Sequence, residues 1–380
     1  MTIKTKLKAG LIGCGSLSQR AVLPHLSLSD CKEKIQIEAV VDINMERSRQ
    51  TAEKFNIPSH FSNLEQMLSS ADIDLVLVIT PIPYHYSNAL AALKAGKHVY
   101  IQKAMTTKVE EANELLSFRD KMGLKLSAAP GFDLFPSTGQ IREIVKRGEL
   151  GRVNVAYSYT FGFGHEFEMI RNGNGEQSKI DPTWYYQNNI GPLPDVTVYA
   201  LQLLTSVLGP VHQVTALANK TASNRLWQGE SIKVEVNDNS IVLMEFLSGS
   251  LAVAVGSNCN GSQRIPWGGL GLYGTEGILE ITEVHHESGY PTVFEVVNKK
   301  HTTVKYKLTD QKYLESEHSS IEEQHVYVDI MDLVDSIIED RAPIATGEQA
   351  AHVVEIIEKT MASIETGKKQ IIKSRFKQNL

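Results

Sequence analysis

The chain has few cysteines, no long apolar run and no basic cluster, and each absence narrows what it can do. Its 380 residues include only three cysteines, Cys14, Cys31 and Cys259, which lie far apart and share no C-x-x-C spacing. This spacing predicts neither a disulfide framework nor a metal site, and it favours a reduced, intracellular protein. No stretch approaches the roughly 18 apolar residues that span a bilayer, and the N-terminus lacks the apolar core of a signal peptide. We therefore expect no membrane contact and a cytoplasmic location.

The charge of the sequence argues against a nucleic-acid partner. The formal net charge is −6 and is spread along the chain, without the cluster of lysine and arginine that a phosphate backbone attracts. A small-molecule partner is the better expectation. The length favours two domains, because a single hydrophobic core stops growing at roughly 250 to 300 residues.

The first third of the sequence alternates short apolar runs with amphipathic segments. In the segment Val109–Lys121, for example, apolar residues recur at helical spacing and the other face is polar. Such alternation is typical of βαβ units, so we predict an α/β Rossmann domain with a doubly wound parallel sheet at residues 1–129. The predicted strands are Leu7–Ile12, Ile35–Val41, Leu75–Ile79, His98–Ile101 and Lys125–Ala128.

The pattern changes after Pro130, where strand-like segments follow one another without intervening helices. We predict an α+β domain at residues 130–380, built on a large, mainly antiparallel, open-faced sheet that binds substrate and forms oligomers. Its last helices can pack back towards the Rossmann domain. The predicted elements are the helix Ser137–Arg147, the strands Arg152–Phe161, Val211–Ala218 and Ser231–Val236, the hairpin of Ser240–Leu247 with Ser250–Gly256, and the helices Ile321–Glu339 and Gly347–Glu365.

A glycine turn follows the first predicted strand. Residues 13–18 match the pattern G-x-G-x-x-G, except that Ser18 replaces the last glycine. Gly13 permits the tight turn, and Gly15 lets the backbone approach a pyrophosphate at the positive end of the next helix. We predict that Gly13, Gly15, Ser16 and Leu17 bind a dinucleotide. An ordinary tight turn is the alternative.

Polar residues also stand at the ends of later predicted strands. Asp42 ends the second strand, where its carboxylate can accept hydrogen bonds from both ribose hydroxyls and repel a 2′-phosphate, so NAD is favoured over NADP. The alternative is that Asp42 caps the helix near Met45, although Asn44 is an equally good cap. Thr80, Pro81 and His85 follow another strand, at the edge of the sheet that lines the ligand crevice, and are predicted to contact the cofactor.

Four segments besides the glycine turn resemble one known family in their order and spacing. The sequence resembles the glucose-fructose oxidoreductase / inositol dehydrogenase (Gfo/Idh/MocA) family over nearly its whole length. This resemblance implies an NAD-dependent oxidoreductase acting on a sugar, glycoside or polyol, and a homodimer or homotetramer assembled through the C-terminal sheet. The segments are Thr80–His85, Ala95–Ala104, Gly191–Tyr199 and Ala342–Glu348.

The sequence also departs from the family pattern. The usual Glu-Lys-Pro is here Gln102-Lys103-Ala104, so the lysine is kept while both neighbours differ. The resemblance places Gln102 and Lys103 at the cofactor. Thr197 stands where glycine is common, which could alter the approach of a ligand, and Tyr199 follows the tyrosine version of its position rather than the histidine version.

Three side chains are suited to moving the proton that accompanies hydride transfer. Asp195 and Tyr199 lie four residues apart in a predicted helix and so share one face, and we expect Lys103 to face them across the interdomain cleft. We predict Tyr199 as the proton relay, since a nearby ammonium favours the phenolate. Lys103 would polarise the substrate oxygen and Asp195 would orient its hydroxyls, although Lys103 and Tyr199 could exchange roles.

Each of these interpretations has an alternative. Lys103 could be a solvated surface lysine, Asp195 a helix cap and Tyr199 ordinary packing. The whole protein could instead cleave glycosides by transient oxidation, elimination and reduction with NAD, or serve as a non-catalytic sensor of sugar or NAD. Other candidates are interpreted as follows: His165, His285 and His286 as loop or strand-surface residues rather than ligands, Trp184, Tyr185 and Tyr186 as a sugar-stacking or core group, and Phe161–Asp181 as a lid or a plain connection.

Overall fold

The computed structural model describes residues 6–171, 176–187, 190–259, 268–284, 291–307 and 311–378, so His285 and His286 lie outside the described residues. The chain forms two compact units. The first unit comprises Met1–Gly131, Met169–Ile180 and Tyr313–Ala350, and the second comprises Phe132–Glu168, Asp181–Lys312 and Ala351–Leu380.

The first unit contains a six-stranded sheet in the order β3-β2-β1-β4-β5-β6, in which every neighbouring pair is parallel. The predicted parallel sheet is confirmed. Its central strands read as continuous apolar runs because both faces are buried. The edge strand β3 was not predicted, since it has only three residues and is partly exposed. The strands are β1 (Leu7–Ile12), β2 (Ile35–Val41), β3 (Ser59–Phe61), β4 (Leu75–Val78), β5 (His98–Ile101) and β6 (Leu126–Ala128).

The second unit contains a nine-stranded sheet in which only the pair β7–β12 is parallel, so the predicted mainly antiparallel sheet is also confirmed. The predicted hairpin is β11–β12. A separate pair, β9–β10, holds the first part of the predicted strand Ser231–Val236. The strands are β7 (Val153–Phe161), β8 (Val211–Asn219), β9 (Asn224–Trp227), β10 (Glu230–Lys233), β11 (Asn239–Phe246), β12 (Leu251–Ser257), β13 (Gly269–Gly274), β14 (Gly277–Val284), β15 (Pro291–Asn298), β16 (Thr303–Lys307) and β17 (Gln370–Ile371).

The helix His85–Lys94 begins after the fourth strand of the parallel sheet, and the helix Gln324–Ile338 packs in the hydrophobic core. In the described part of the chain, no helix is long and apolar enough to cross a membrane. The helices are α1 (Leu23–Leu26), α2 (Met45–Phe55), α3 (Leu64–Ser70), α4 (His85–Lys94), α5 (Val109–Met122), α6 (Pro136–Lys146), α7 (Val198–Leu208), α8 (Gln324–Ile338) and α9 (Gly347–Thr366).

Helix α8 belongs to the first unit although it lies near the end of the sequence. It is buried over most of its length, and Val326, Ile330 and Leu333 pack in the same hydrophobic cluster as Leu11 and Leu77 of the parallel sheet. Burying each such side chain contributes roughly 1.5 to 3 kcal/mol. The segment that leads into α8 is therefore held against the Rossmann strands.

The two faces of the nine-stranded sheet differ. Along β11, Val242 and Met244 are buried, whereas Ile241 and Leu243 are 46% and 47% exposed. The same alternation leaves Leu251 and Leu217 exposed on the neighbouring strands. One face is thus covered within the chain, and the other presents a row of apolar side chains.

Candidate active site

The glycine turn is as tight as its sequence predicts. Gly13 has φ +98°, and a Cβ there would collide with the backbone carbonyl of Ile79 at the end of the neighbouring strand. Gly15 has no atom within 4 Å of its Cβ position. A side chain is therefore excluded at Gly13, while the space above Gly15 is open to a ligand.

The serine that replaces the third glycine closes the turn. Ser18 is fully buried and its hydroxyl donates to the Gly13 carbonyl at 2.5 Å. The helix that follows Ser16 and Leu17 passes through a π-helical turn at Ser18–Val22 before α1. The first backbone N–H groups of this helix lie at the glycine turn. An anion site at a helix N-terminus requires this arrangement.

Asp42 connects this turn to the second strand. Its Oδ2 accepts from the Cys14 N–H at 3.0 Å, and its Oδ1 accepts from the Asn44 N–H at 2.9 Å and from the Arg47 guanidinium at 3.2 Å. The helix cap is Asn44, whose side chain accepts from the Arg47 N–H, so the alternative that Asp42 caps α2 is wrong. A cavity of about 700 Å³ lies beside this corner, lined by Cys14, Asn44 and Arg47 among others.

The fourth strand ends in a loop that a histidine holds in place. His85 is fully buried, and its two ring nitrogens each lie 2.7 Å from a carbonyl oxygen, of Ala104 and of Thr80. Burial lowers the pKa of His85 to about 4, and the charge of Lys103 adds to that effect. The ring is therefore neutral and donates to one carbonyl at a time. Being buried, it can influence a ligand only by positioning Thr80, Pro81 and the loop at Ala104.

Gln102 takes part in a buried polar chain. Its amide donates to the Tyr100 hydroxyl at 2.8 Å, and that hydroxyl lies 3.4 Å from Asp329 Oδ2 on α8. Burial raises the pKa of Asp329 well above its usual value. A glutamate at position 102 would put a second carboxylate in this buried network, where like charges repel. The neutral amide avoids that repulsion.

Lys103 is surrounded by charges from distant parts of the first unit. Glu323 has a left-handed backbone (φ +53°) that a glutamate rarely adopts, and it forms an ion pair of 2.6 Å with Arg20. Burial would raise the pKa of Glu323, but Arg20, His325 and Lys103 together lower it. The carboxylate missing at position 102 thus has a counterpart in Glu323, on the segment before α8.

Asp195 in the second unit is paired with a histidine that the sequence did not single out. His165 Nε2 lies 2.6 Å from Asp195 Oδ2, and Nδ1 lies 2.7 Å from Glu168 Oε1. Burial works to lower the pKa of His165, but Asp195 and Glu168 overcome it and raise the pKa to about 9. His165 lies in a loop segment, as expected, but its side chain is only 20% exposed and is held between two carboxylates. Gly162 and Gly164, just before it, interrupt any periodicity.

Tyr199 follows Asp195 by one helical turn, as predicted, but the two residues lie in different kinds of helix. Asp195 lies in a π-helical turn, Leu193–Thr197, and Tyr199 lies in the first turn of α7. The Tyr199 ring is 5% exposed and meets the Phe132 ring edge-on, with centroids 6.2 Å apart. π-Helical turns occur frequently at functional sites.

Thr197 faces the sheet. It is fully buried, its hydroxyl lies 2.9 Å from the Ser240 hydroxyl, and a Cβ at Gly256 would collide with it. The Thr197 side chain therefore fills the space that a side chain at position 256 would need, and Gly256 on β12 leaves that space to it. Its effect on a ligand can only be indirect.

The three aromatic residues before the Gly191 turn have different environments. Tyr186 is fully buried and its hydroxyl donates to Glu166, so it is a core residue. Tyr185 stacks on His165 with ring centroids 3.4 Å apart, and Trp184 stacks on Tyr185 at 3.7 Å. This stack covers the imidazole that holds Asp195.

The parallel sheet, the open glycine turn and the acidic end of the second strand define a Rossmann dinucleotide-binding fold. Residues 7–129 match the Gfo/Idh/MocA "Oxidoreductase family, NAD-binding Rossmann fold", and residues 142–372 match its "C-terminal alpha/beta domain". The chain belongs to this family of NAD-binding oxidoreductases.

Individual relatives agree with this assignment. The chain is 23% identical to the trans-1,2-dihydrobenzene-1,2-diol dehydrogenase of Mus musculus over 73% of its length and 75% of the relative. It is 24% identical to the D-glucoside 3-dehydrogenase of Escherichia coli K12 over 64% of its length and 68% of the relative. A solved levoglucosan dehydrogenase in complex with NADH and L-sorbose shares the fold, with a TM-score of 0.79, 17% identity and coverage of 98% and 100% of the two chains.

Proposed function

We propose that this oxidoreductase transfers hydride between NAD and a secondary alcohol or ketone of a sugar, glycoside or polyol. The observation that carries the proposal is the ion pair of Asp195 with His165. The imidazole fixes the orientation of this carboxylate, which can accept hydrogen bonds from substrate hydroxyls. The names of the relatives support the substrate class, since one acts on a cyclic diol and another on a D-glucoside.

NAD fits the residues of the first unit. The glycine turn leaves room for a pyrophosphate at Gly15, and Ser16 and Leu17 provide N–H groups at the helix start. Asp42 is placed to accept the ribose hydroxyls once the Arg47 contact rearranges. When bound, the nicotinamide supplies the hydride acceptor or donor.

The protein contributes the proton chemistry. We assign Lys103 to polarise the substrate oxygen, Tyr199 to relay the hydroxyl proton and Asp195 to orient the hydroxyls, with His165 fixing the Asp195 carboxylate. Gln102, Thr80 and Pro81 hold the loop that carries Lys103, and His85 braces this loop from beneath. Lys103 belongs to the first unit, and Tyr199, Asp195 and His165 belong to the second.

A nicotinamide absorbance screen of the purified protein tests the function. Sugars, glycosides and inositols are offered with NAD, and the corresponding ketones with NADH. We expect turnover with at least one polyhydroxylated compound and little with simple alcohols. If a glycoside is consumed without net absorbance change and a free sugar accumulates, the protein instead cleaves glycosides by transient oxidation. No turnover on any member of the panel would contradict the proposal.

We also propose that the exposed face of the nine-stranded sheet joins copies of the chain into a dimer or tetramer. Ile241, Leu243, Leu251 and Leu217 expose apolar surface together on adjacent strands, a feature that monomers rarely keep. Light scattering at micromolar concentration should give a mass above that of the 42.1 kDa chain. Leu243→Glu should lower it, whereas Glu245→Gln on the same strand should not. A wild-type monomer would refute the assembly.

A further inference from the structure

Among the described residues, three side chains of different chemistry converge in the first unit, away from the glycine turn. Asp30 Oδ2, Cys31 Sγ and His318 Nε2 all lie within 4.8 Å of one another. The imidazole nitrogen is 3.0 Å from the carboxylate oxygen and 3.9 Å from the sulfur. Cys31 and His318 are each 1% exposed, whereas Asp30 is exposed.

The hydrogen bonds around His318 fix which of its nitrogens carries hydrogen. His25 Nε2 lies 3.2 Å from the Glu322 carbonyl, which can only accept, so His25 carries its hydrogen there. His25 Nδ1 lies 2.8 Å from His318 Nδ1. With its hydrogen on Nε2, a singly protonated His25 accepts at Nδ1. His318 therefore donates from Nδ1.

With Nδ1 donating to His25, the Nε2 atom of His318 faces Asp30 Oδ2 and the Cys31 sulfur. Either a second proton on His318 or a metal ion must lie between Nε2 and the carboxylate. A second proton on His318 would satisfy Asp30 alone, because a proton is shared by two atoms. A metal ion would bind all three.

We propose that Asp30, Cys31 and His318 bind a zinc ion, with solvent as the fourth ligand on the exposed side of Asp30. Zinc takes thiolate, imidazole and carboxylate ligands in a tetrahedron, whose ligand atoms lie roughly 3.3 to 3.5 Å apart. The separations of 3.0 and 3.9 Å need shifts of only a few tenths of an ångström. The bond from His318 to His25 is the outer hydrogen bond that a zinc-binding histidine normally donates.

The surroundings suit this site. His25 and His318 both stack on the Tyr327 ring, with centroids 4.6 and 4.2 Å away, which fixes both imidazole planes. The Tyr327 hydroxyl lies 3.3 Å from Cys31 Sγ and can donate to a thiolate. The spacing of the cysteines predicts no such site, because its ligands lie 287 residues apart and meet only in the fold.

Zinc binding requires a balanced loss of protons. Cys31 Sγ lies 3.3 Å from the His25 carbonyl oxygen, which can only accept, so without metal the group is a thiol whose hydrogen faces that carbonyl. On binding, the S–H bond breaks, the S–Zn bond forms and the proton leaves to the buffer. At least one proton per ion is therefore released.

The test is calorimetric titration of zinc into chelator-treated protein, at one pH in buffers of different ionisation enthalpy. We expect one ion per chain, a dissociation constant below about 10 µM, release of one or two protons and a higher melting temperature. Cys31→Ser and His318→Gln should weaken binding by more than about tenfold. Asp30→Asn, at an exposed position where folding is not at risk, should also weaken it, whereas Cys259→Ser should not.

Cobalt provides a second readout that does not depend on turnover. Cobalt in the same site should give a thiolate-to-metal charge-transfer band, which Cys31→Ser should abolish and Cys259→Ser should keep. Absence of saturable zinc binding, binding without proton release, or wild-type zinc affinity in Cys31→Ser would each overturn the proposal and leave a proton, not a metal, between His318 and Asp30.

Discussion

The two regions that carry the candidate site have similar local structure, but their histidines differ in charge. Each has a π-helical turn at the start of its helix, Ser18–Val22 in the first unit and Leu193–Thr197 in the second. Each also holds a histidine away from solvent. His85 lies between two carbonyl oxygens, whereas His165 lies between two carboxylates.

The histidine is therefore neutral in the first region and positively charged in the second. Burial and the neighbouring Lys103 lower the pKa of His85 to about 4, while Asp195 and Glu168 raise that of His165 to about 9 against the effect of burial. A neutral histidine can only brace the loop that carries Lys103. A charged histidine holds the Asp195 carboxylate in a fixed orientation. The groups that contact each histidine, rather than its burial, decide its charge and therefore its role.

The largest expected effect comes from removing the lysine that the first region positions. Lys103→Ala should lower turnover by about a hundredfold or more, the usual scale for a positioned acid-base group, while NAD affinity changes little. Tyr199→Phe in the second region should have a comparable effect. Steady-state kinetics and NAD titration by fluorescence measure both. Lys108→Ala, an exposed lysine farther along the same loop, is the control.

The double variant shows whether the two regions act as one unit. If Lys103 and Tyr199 share a proton-transfer step, the double mutant should be little worse than the poorer single mutant. Asp195→Asn should cost less than either change, because its role is orientation. Additive losses would mean that the two side chains act in separate steps, and near-normal turnover of Lys103→Ala would place the active site elsewhere.

The next effect is a loss of stability at alkaline pH that originates in the second region. The folded pKa of His165, about 9, exceeds the ordinary 6.5, so its contribution is present below pH 6.5 and is lost as the pH rises through 9. Relative to His165→Gln, the free energy of unfolding of the wild type should fall by about 3 kcal/mol over this range. Urea denaturation at several pH values measures it. His60→Gln, at an exposed position, should behave like the wild type.

The first region should show a slope of the opposite sign, at acid pH. His85 has a folded pKa of about 4, so the unfolded chain takes up its proton first and stability falls as the pH drops from 6.5 towards 4. His85→Gln should reduce this slope by at most about 1.4 kcal/mol per pH unit, the share of one proton. An unchanged acid slope in that variant would show that His85 is already protonated in the folded protein.

Much of the first region could be predicted from the sequence because its signals are local. The strands β1, β2 and β5 begin and end at the predicted residues, since buried parallel strands are continuous apolar runs between polar segments. The glycine turn needs only residues 13–18 to be recognised. Its open space at Gly15 and the tight contact at Gly13 agree with the roles predicted for them.

The second region resisted prediction because its partners are distant in the sequence. His165 and Asp195 are 30 residues apart, in a glycine-rich segment without periodicity. Long-range groups of the first unit escaped prediction for the same reason. Glu323 is still farther from Lys103 along the sequence, and the proposed zinc ligands are farther apart again. Side-chain pairs of this kind depend on the packing of whole elements, such as α8 on the parallel sheet, and no local pattern records them.

The smallest expected effect concerns cofactor choice at the corner between the glycine turn and α2. Asp42 binds the Cys14 N–H and the Arg47 guanidinium, so we expect its carboxylate both to accept ribose hydroxyls and to neutralise Arg47, a cation that could hold a 2′-phosphate. Wild-type protein should bind NAD more tightly than NADP, and Asp42→Ala should narrow the ratio by about tenfold, since Arg47 is then released to the phosphate. Adding Arg47→Ala should remove that gain. Asn44→Ala, which removes the cap of α2 and about 1 kcal/mol of stability, should leave the ratio unchanged. Fluorescence titration of both cofactors decides the matter, and tighter binding of NADP to the wild type would show that Arg47 prevails over Asp42.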